Sequence, residues 1–168
     1  KFFGLKREKL SFLRMAEDNA GAICGTPENR ALLFSFLNKV KPHMIFLPHW
    51  NDTNQDHRLI NSFVESILQN EFAGKSIAVW WNRDPKTVKM HHDIYSFFSD
   101  SDAEWKSKML RLHVSQHERN LMTRGQGFDD RILSDNLCYA GLSPLKHRQE
   151  YCYSEVFALK ITEGDSFS

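Results

Sequence analysis

The feature that most constrains the fold is a short apolar run followed by a polar loop and an amphipathic helix. Residues 43–48 are an apolar run that Pro42 precedes and Pro48 ends, and they are too few for a helix, which indicates a buried β-strand. In residues 57–72 the apolar positions recur three and four apart, as on one face of a helix. Residues 76–81 form the next apolar run, after Gly74. This order predicts two parallel strands joined by a crossover helix.

The same patterns place the other elements along the chain. Residues 27–40 are expected to be helical, with Thr26 as the N-cap and Pro27 at the first helical position. The remaining expected elements are a strand at 10–15, an edge strand near 90–95, a helical stretch at 102–120, a loop-rich stretch at 123–148 with one short helix, and a final strand at 150–160. Strands that alternate with helices predict an α/β fold, a Rossmann-like doubly wound and mostly parallel sheet in one domain spanning residues 1–168.

Composition excludes several classes of protein. The 168 residues carry 22 Lys+Arg against 21 Asp+Glu, a net charge of +1, which offers no electrostatic footprint for nucleic acid. No apolar run approaches the roughly 20 residues of a spanning helix. Cys24, Cys138 and Cys152 are too widely spaced for a disulfide framework or a zinc finger, so we expect reduced thiols in a cytoplasmic protein. The oligomeric state stays open, with a homo-oligomer as one alternative.

The loop between the first apolar run and the helix at 57–72 is dense in groups that bind metals or transfer protons. It contains His49, Asp52, Asp56 and His57. In open α/β sheets, ligands bind outside the carboxyl ends of the strands, where this loop lies. However, Asp56 could equally do no more than cap the helix, since Asp and Asn are ordinary N-cap residues. Spacing alone leaves capping and a functional site as equal alternatives.

Several motifs in one order resemble a known enzyme family. Residues 41–48 are followed by Asp-Thr-Asn-Gln-Asp-His-Arg at 52–58, then by His-Val-Ser-Gln at 113–116, by Arg124-Gly125, and by Tyr-Ser-Glu-Val-Phe at 153–157. In this order the chain resembles the PIG-L/LmbE-like family of zinc-dependent N-acetyl-sugar deacetylases over nearly its whole length. The resemblance implies a hydrolase that removes an acetyl group from an N-acetylglucosamine-type small molecule or glycoconjugate. It implies Zn²⁺, or another divalent metal, as the cofactor.

The resemblance also implies roles for single residues. His57 matches the last His of the family motif and is the implied metal ligand, and Asp56 matches the Asp before it, an orienting residue in the reaction. Asn54 stands where the family has a His that assists the reaction. An Asn cannot carry a proton, but it can donate a hydrogen bond to the oxyanion, and this is the catalytic role that we expect of Asn54. Either His49 supplies the acid, or the protein is slow, altered or inactive. We expect His49, Asp52 and Arg58 to contact the substrate.

A second departure from the family concerns its His-Pro-Asp-Asp motif, which does not occur in these residues. In the family this motif supplies the other metal ligands and the general base. We therefore expect an N-terminally truncated domain that lacks its first strand or strands. The alternative function is a non-catalytic carbohydrate-binding or partner-binding α/β module that has lost its zinc chemistry.

Overall fold

A computed structural model describes residue 4, residues 6–144 and residues 150–162. Because these residues form both α-helices and a β-sheet, the expected α/β class is confirmed. In chain order the elements are the 3-10 helix Arg7–Lys9, α1 (Pro27–Val40), β1 (Met44–Pro48), α2 (Gln55–Glu71), β2 (Ala78–Asn82), β3 (Ile94–Phe98), α3 (Asp100–Arg111), α4 (Val114–Arg124), α5 (Phe128–Leu142) and β4 (Tyr153–Ile161).

The strands form an open sheet in the order β1-β2-β4-β3. β1 and β2 run parallel, with Met44 opposite Ala78 and Pro48 opposite Asn82. β2 and β4 run antiparallel. The sheet is therefore mixed rather than mostly parallel, and the Rossmann-like doubly wound arrangement is not confirmed. The expected edge strand exists as β3, a few residues later in the chain than 90–95.

Residues 10–15 do not form the strand that their alternating pattern predicts. Phe12 is 81% exposed, so the apolar side of the pattern faces no core. Arg14 has a φ of 51°, in the left-handed region, and this interrupts the extended run. Among the described residues, the pairing nearest to this segment is an isolated bridge between Glu17 and Ile23. The expected series of strand–helix–strand units thus reduces to β1-α2-β2.

The described residues divide into two compact units. The first contains residue 4, residues 6–91 and residues 157–162, and the second contains residues 92–144 and 150–156. The expectation of a single domain over the whole chain stays a prediction.

Side-chain caps begin both helices of the first unit. The Thr26 hydroxyl accepts a hydrogen bond from the Asn29 N–H at 3.3 Å, as the sequence predicts for α1. The Asn54 amide oxygen accepts from the Asp56 N–H at 3.0 Å, so α2 begins at Gln55, two residues before the predicted start. Apolar residues of α1, α2 and β2 are buried in the core; they include Leu33, Leu37, Phe63, Val64, Ile67, Leu68, Val79 and Trp81.

β1 is buried on only one face, which corrects the expectation of a fully buried strand. Leu47 is buried, whereas Met44 and Phe46 are about half exposed. The Phe46 ring lies beside those of Trp80 and Phe157, with centroids 5.4 and 6.0 Å away. The apolar run therefore predicts the strand β1 correctly, but it does not predict that one face of this strand is partly exposed.

The second unit differs most from the sequence-based expectation. The helical stretch expected at 102–120 is two helices, α3 and α4, which separate at Leu112 and His113. The stretch at 123–148, expected to be loop-rich, contains the 15-residue helix α5. Residues 145–148 of this stretch lie outside the described residues. The buried positions of α5 include Asp129 and Asn136. No apolar stripe therefore marks this helix in the sequence.

A buried carboxylate organises these helices. Asp129 is fully buried at the start of α5, and its Oδ2 accepts hydrogen bonds from the Ser107 hydroxyl and the Arg111 Nε–H of α3, both at 2.6 Å. Burial by itself raises the pKa of Asp129, but the two hydrogen bonds and the positive charge of Arg111 outweigh it, so the net pKa lies below the usual value. The ionised carboxylate is thus the form that joins α3 to α5.

Within the described ranges, no helix combines the length and the apolar character needed to cross a bilayer.

The Asp129 contacts predict how this protein responds to acid. A carboxylate with a lowered folded-state pKa stabilises the fold above its unfolded pKa, near 3.8, and that stability is lost as the pH falls through the folded-state value. We expect Asp129→Asn to reduce the free energy of unfolding at pH 6 and to flatten its dependence on pH between about 5 and 3. Urea unfolding followed by circular dichroism measures both. The neighbouring exposed Asp130→Asn is the control, and equal pH slopes for the two variants would contradict the assignment.

Candidate metal centre

The candidate site lies where the two parallel strands end. β1 ends at Pro48 and β2 ends opposite it at Asn82, so the loops that follow them leave the same edge of the sheet. These loops pair through an isolated antiparallel bridge between Asp52 and Thr87. The Thr53 N–H donates to the Lys86 carbonyl at 3.1 Å. The two loops are therefore fixed to each other.

Three side chains that commonly ligate metals converge at this edge. Asp52, His57 and Asp84 each offer one ligand atom, and these atoms all lie within 4.8 Å of one another. Asp52 comes from the loop after β1, His57 from the first turn of α2, and Asp84 from the loop after β2. Asp52 is buried, while His57 and Asp84 are half-buried, so solvent can reach the cluster at His57 and Asp84.

Asp52 holds His57 in a defined orientation. Its Oδ2 lies 3.1 Å from His57 Nδ1, and its side chain is fully buried. A carboxylate only accepts hydrogen bonds, so this contact is a hydrogen bond when the imidazole proton is on Nδ1. Asp52 Oδ1 accepts from the Asn54 N–H at 2.6 Å. In that tautomer the free lone pair is on Nε2, which points away from Asp52, so an ion held by both residues would take the place of the proton between Nδ1 and Oδ2.

Arg58, which we expect to contact the substrate, forms a hydrogen bond that holds the loop. Its Nη1 donates to the main-chain carbonyl of Asp52 at 2.6 Å. The guanidinium is largely exposed otherwise, so its other donors can still reach a ligand. The substrate contact of Arg58 stays a prediction.

The two residues expected to act in the reaction each make a structural contact. Asn54 caps α2 through its amide oxygen. Asp56 Oδ1 accepts from the main-chain N–H of Ile23 at 3.0 Å and so ties the loop before α1 to the start of α2. The helix cap is therefore Asn54 and not Asp56, for which the sequence left capping open. The reactive roles of Asn54 and Asp56 stay predictions.

His49 is buried beside the site, at 4% exposure. Its ring lies 5.1 Å from that of Trp50 and 6.1 Å from that of Trp81, and its Nδ1 accepts from the Asn51 N–H at 3.1 Å. Burial, with a smaller effect from the positive charge of Arg83, holds the pKa of His49 below its ordinary value of 6.5. His49 is therefore a neutral imidazole at pH 7, with its proton on Nε2.

Sequence reasoning missed Asp84. The signal was an aspartate two residues after the end of β2, in a loop that shares the sheet edge with the loop after β1. In the structure a tight turn fixes Asp84, because the Lys86 N–H donates to Asp84 Oδ1 at 2.7 Å and the Thr87 N–H donates to the Asp84 carbonyl at 2.8 Å. In the sequence Asp84 precedes Pro85, a pair typical of turns, and no local pattern marks it as a ligand.

The donor set fits a divalent ion of the zinc or manganese type. One imidazole and two carboxylates are ligands that Zn²⁺ accepts, and a catalytic zinc keeps three protein ligands and one open position. Asp52, His57 and Asp84 match this number, and the half-burial of His57 and Asp84 leaves one side accessible. The residues present therefore could hold such an ion, and their identity does not select among divalent metals.

The cluster predicts measurable Zn²⁺ binding. Titration calorimetry of the metal-free protein should detect one Zn²⁺ site, and Asp84→Asn should weaken binding by at least about 10-fold because it removes one anionic ligand. Asp100→Asn, an exposed aspartate at the start of α3, is the control and should bind like the wild type. Equal affinity of the wild type and Asp84→Asn would contradict a ligand role for Asp84.

The burial of His49 predicts a pH effect on stability. A histidine with a lowered folded-state pKa binds its proton more readily in the unfolded chain, so stability falls as the pH drops from about 7 through the unfolded pKa of 6.5. We expect His49→Gln to lose this part of the pH dependence between about pH 7 and 5. Urea midpoints at several pH values measure it, with the exposed His43→Gln as control. A slope in His49→Gln as steep as in the wild type would count against the buried neutral form.

Comparison with known proteins assigns no family to this chain. No protein-family model matches it, and no curated protein or solved structure is similar to it at a significant level. The resemblance to the PIG-L/LmbE-like family thus depends on the sequence motifs alone.

Proposed function

We propose that this chain forms the metal-binding part of a hydrolase that removes an acetyl group from an N-acetylglucosamine-type substrate. The observation that carries the proposal is the convergence of Asp52, His57 and Asp84 within 4.8 Å at the carboxyl edge of β1 and β2. The motif resemblance supplies the substrate class. Zn²⁺ as the ion, a glycoconjugate or small-molecule substrate, a cytoplasmic location and a Rossmann-like doubly wound domain belong to the same proposal.

In this proposal the protein residues have separable tasks. Asp52, His57 and Asp84 hold the ion, which when bound polarises an amide carbonyl and acidifies a water molecule. Before the ion binds, Asp52 orients the His57 imidazole through the contact with Nδ1. His49, neutral and with its proton on Nε2, donates a hydrogen bond to the substrate rather than a proton, because its pKa lies below the ordinary value.

A second candidate function, a non-catalytic carbohydrate-binding or partner-binding module, is favoured by a specific observation. The Asn54 and Asp56 side chains, expected to act in the reaction, both accept hydrogen bonds from main-chain N–H groups, at 3.0 Å each. Neither contact involves proton transfer. A module of this kind would retain the loop architecture and bind its ligand without hydrolysing it.

An assay of amine release separates the two functions. The full-length protein is incubated with N-acetylglucosamine derivatives, with and without a chelator, and the free amine is quantified. The hydrolase predicts amine release that the chelator abolishes and Zn²⁺ restores. We expect His57→Ala to lower this rate by at least about 100-fold, whereas His43→Ala, at the opposite end of β1, should retain it. Glycan binding without amine release at any metal concentration would support the binding module instead.

A further inference from the structure

A buried asparagine in α2 connects the three elements that carry the candidate ligands. Asn61 is 2% exposed. Its Nδ2 donates to the carbonyl of Pro48, the last residue of β1, at 2.7 Å and to the carbonyl of His57 at 2.8 Å. Its Oδ1 accepts from the indole Nε1–H of Trp81 in β2 at 2.6 Å. Both donors and the acceptor of the amide are thus engaged.

Each of these hydrogen bonds ends at, or a few residues before, one of the three candidate ligands in the chain. Pro48 precedes the loop with Asp52, and His57 is itself in the cluster. Trp81 is followed three residues later by Asp84. The Asn61 amide therefore fixes the distance between the end of β1, the first turn of α2 and the end of β2.

Packing alone does not explain an asparagine at this position. Asn is a poor helix former compared with Leu, and burying an amide costs free energy unless its hydrogen bonds are made. The neighbouring core positions of α2, such as Val64 and Leu68, are apolar. An apolar residue would fill the same volume, but it would leave the buried Trp81 N–H without its acceptor.

We infer that Asn61 is a positioning residue of the metal site, which sets the place of His57 relative to Asp52 and Asp84. This inference depends on the proposed metal function only for its consequence, the metal affinity. The positioning itself can be measured in the metal-free protein, as the tautomer and orientation of the His57 imidazole.

Asn61→Leu is the decisive variant because it keeps the branched shape of the side chain and favours the helix, while it removes every side-chain hydrogen bond. Asn70→Leu is the matched control: Asn70 lies in the same helix, and its Nδ2 also donates to a carbonyl four residues earlier, that of Ser66, but on an exposed face. Trp81→Phe is a second variant, which removes the hydrogen bond between Asn61 and β2 and leaves both hydrogen bonds of Asn61 Nδ2 in place. Circular dichroism and urea unfolding first establish that each variant is folded.

Two readouts then test the inference. Calorimetric Zn²⁺ titration should show affinity reduced about 10- to 100-fold in Asn61→Leu, the range for residues that orient metal ligands, and within about twofold of the wild type in Asn70→Leu. Nitrogen-15 NMR of the imidazoles in the metal-free protein should show one Nδ1–H tautomer for His57 in the wild type and a mixture in Asn61→Leu. In both measurements Trp81→Phe should lie between the wild type and Asn61→Leu.

The outcomes separate this inference from the proposed function. A folded Asn61→Leu that keeps both the wild-type Zn²⁺ affinity and the single His57 tautomer overturns the role of Asn61. A wild-type protein that binds no Zn²⁺ overturns the proposed function, while the tautomer measurement still decides whether Asn61 positions His57. A loss of stability in Asn61→Leu with unchanged affinity and tautomer assigns Asn61 a structural role only and also overturns the inference.

Discussion

The parallel pairing of β1 with β2 is the constraint on which the candidate site depends. Parallel strands end at the same edge of a sheet, and the register places Pro48 opposite Asn82 there. A helix must connect them, so the amino end of α2 comes to that edge as well. The loop after β1 and the first turn of α2, which follow each other in sequence, thus meet the remote loop after β2. An antiparallel pairing of the same strands would send the two loops to opposite edges.

Buried polar side chains, rather than apolar contacts alone, fix the details. Asn61 links β1, α2 and β2. Asn29 holds the loop before α1: it forms hydrogen bonds of 2.8 Å with both main-chain groups of Ala16 and donates to the Cys24 carbonyl. Asp129 does this for α3 and α5. Such groups are costly to bury unless their bonds are complete, so each favours one arrangement over its neighbours.

Where the sequence analysis was right, local signals carried the information. The Thr26 cap and the apolar spacing of α2 depend only on neighbours along the chain, and both elements are present nearly where expected. The predictions for residues 10–15 and for helix α5 were wrong because local patterns do not contain the tertiary contacts on which both depend. An alternating pattern becomes a strand only beside a partner strand, and a helix whose packed side contains Asp129 and Asn136 has no apolar period to detect.

By itself the sequence determined the α/β class, most of the helices and strands, and a loop rich in potential ligands, because these follow from local propensity and periodicity. It also placed His57 correctly at the start of α2. Only the tertiary structure decided that Asp52 lies against His57, that Asp84 joins them, and that Asn54 and Asp56 make capping and tethering contacts. The physical reason is that such distances depend on strand register and on hydrogen bonds between remote segments, which no local pattern encodes.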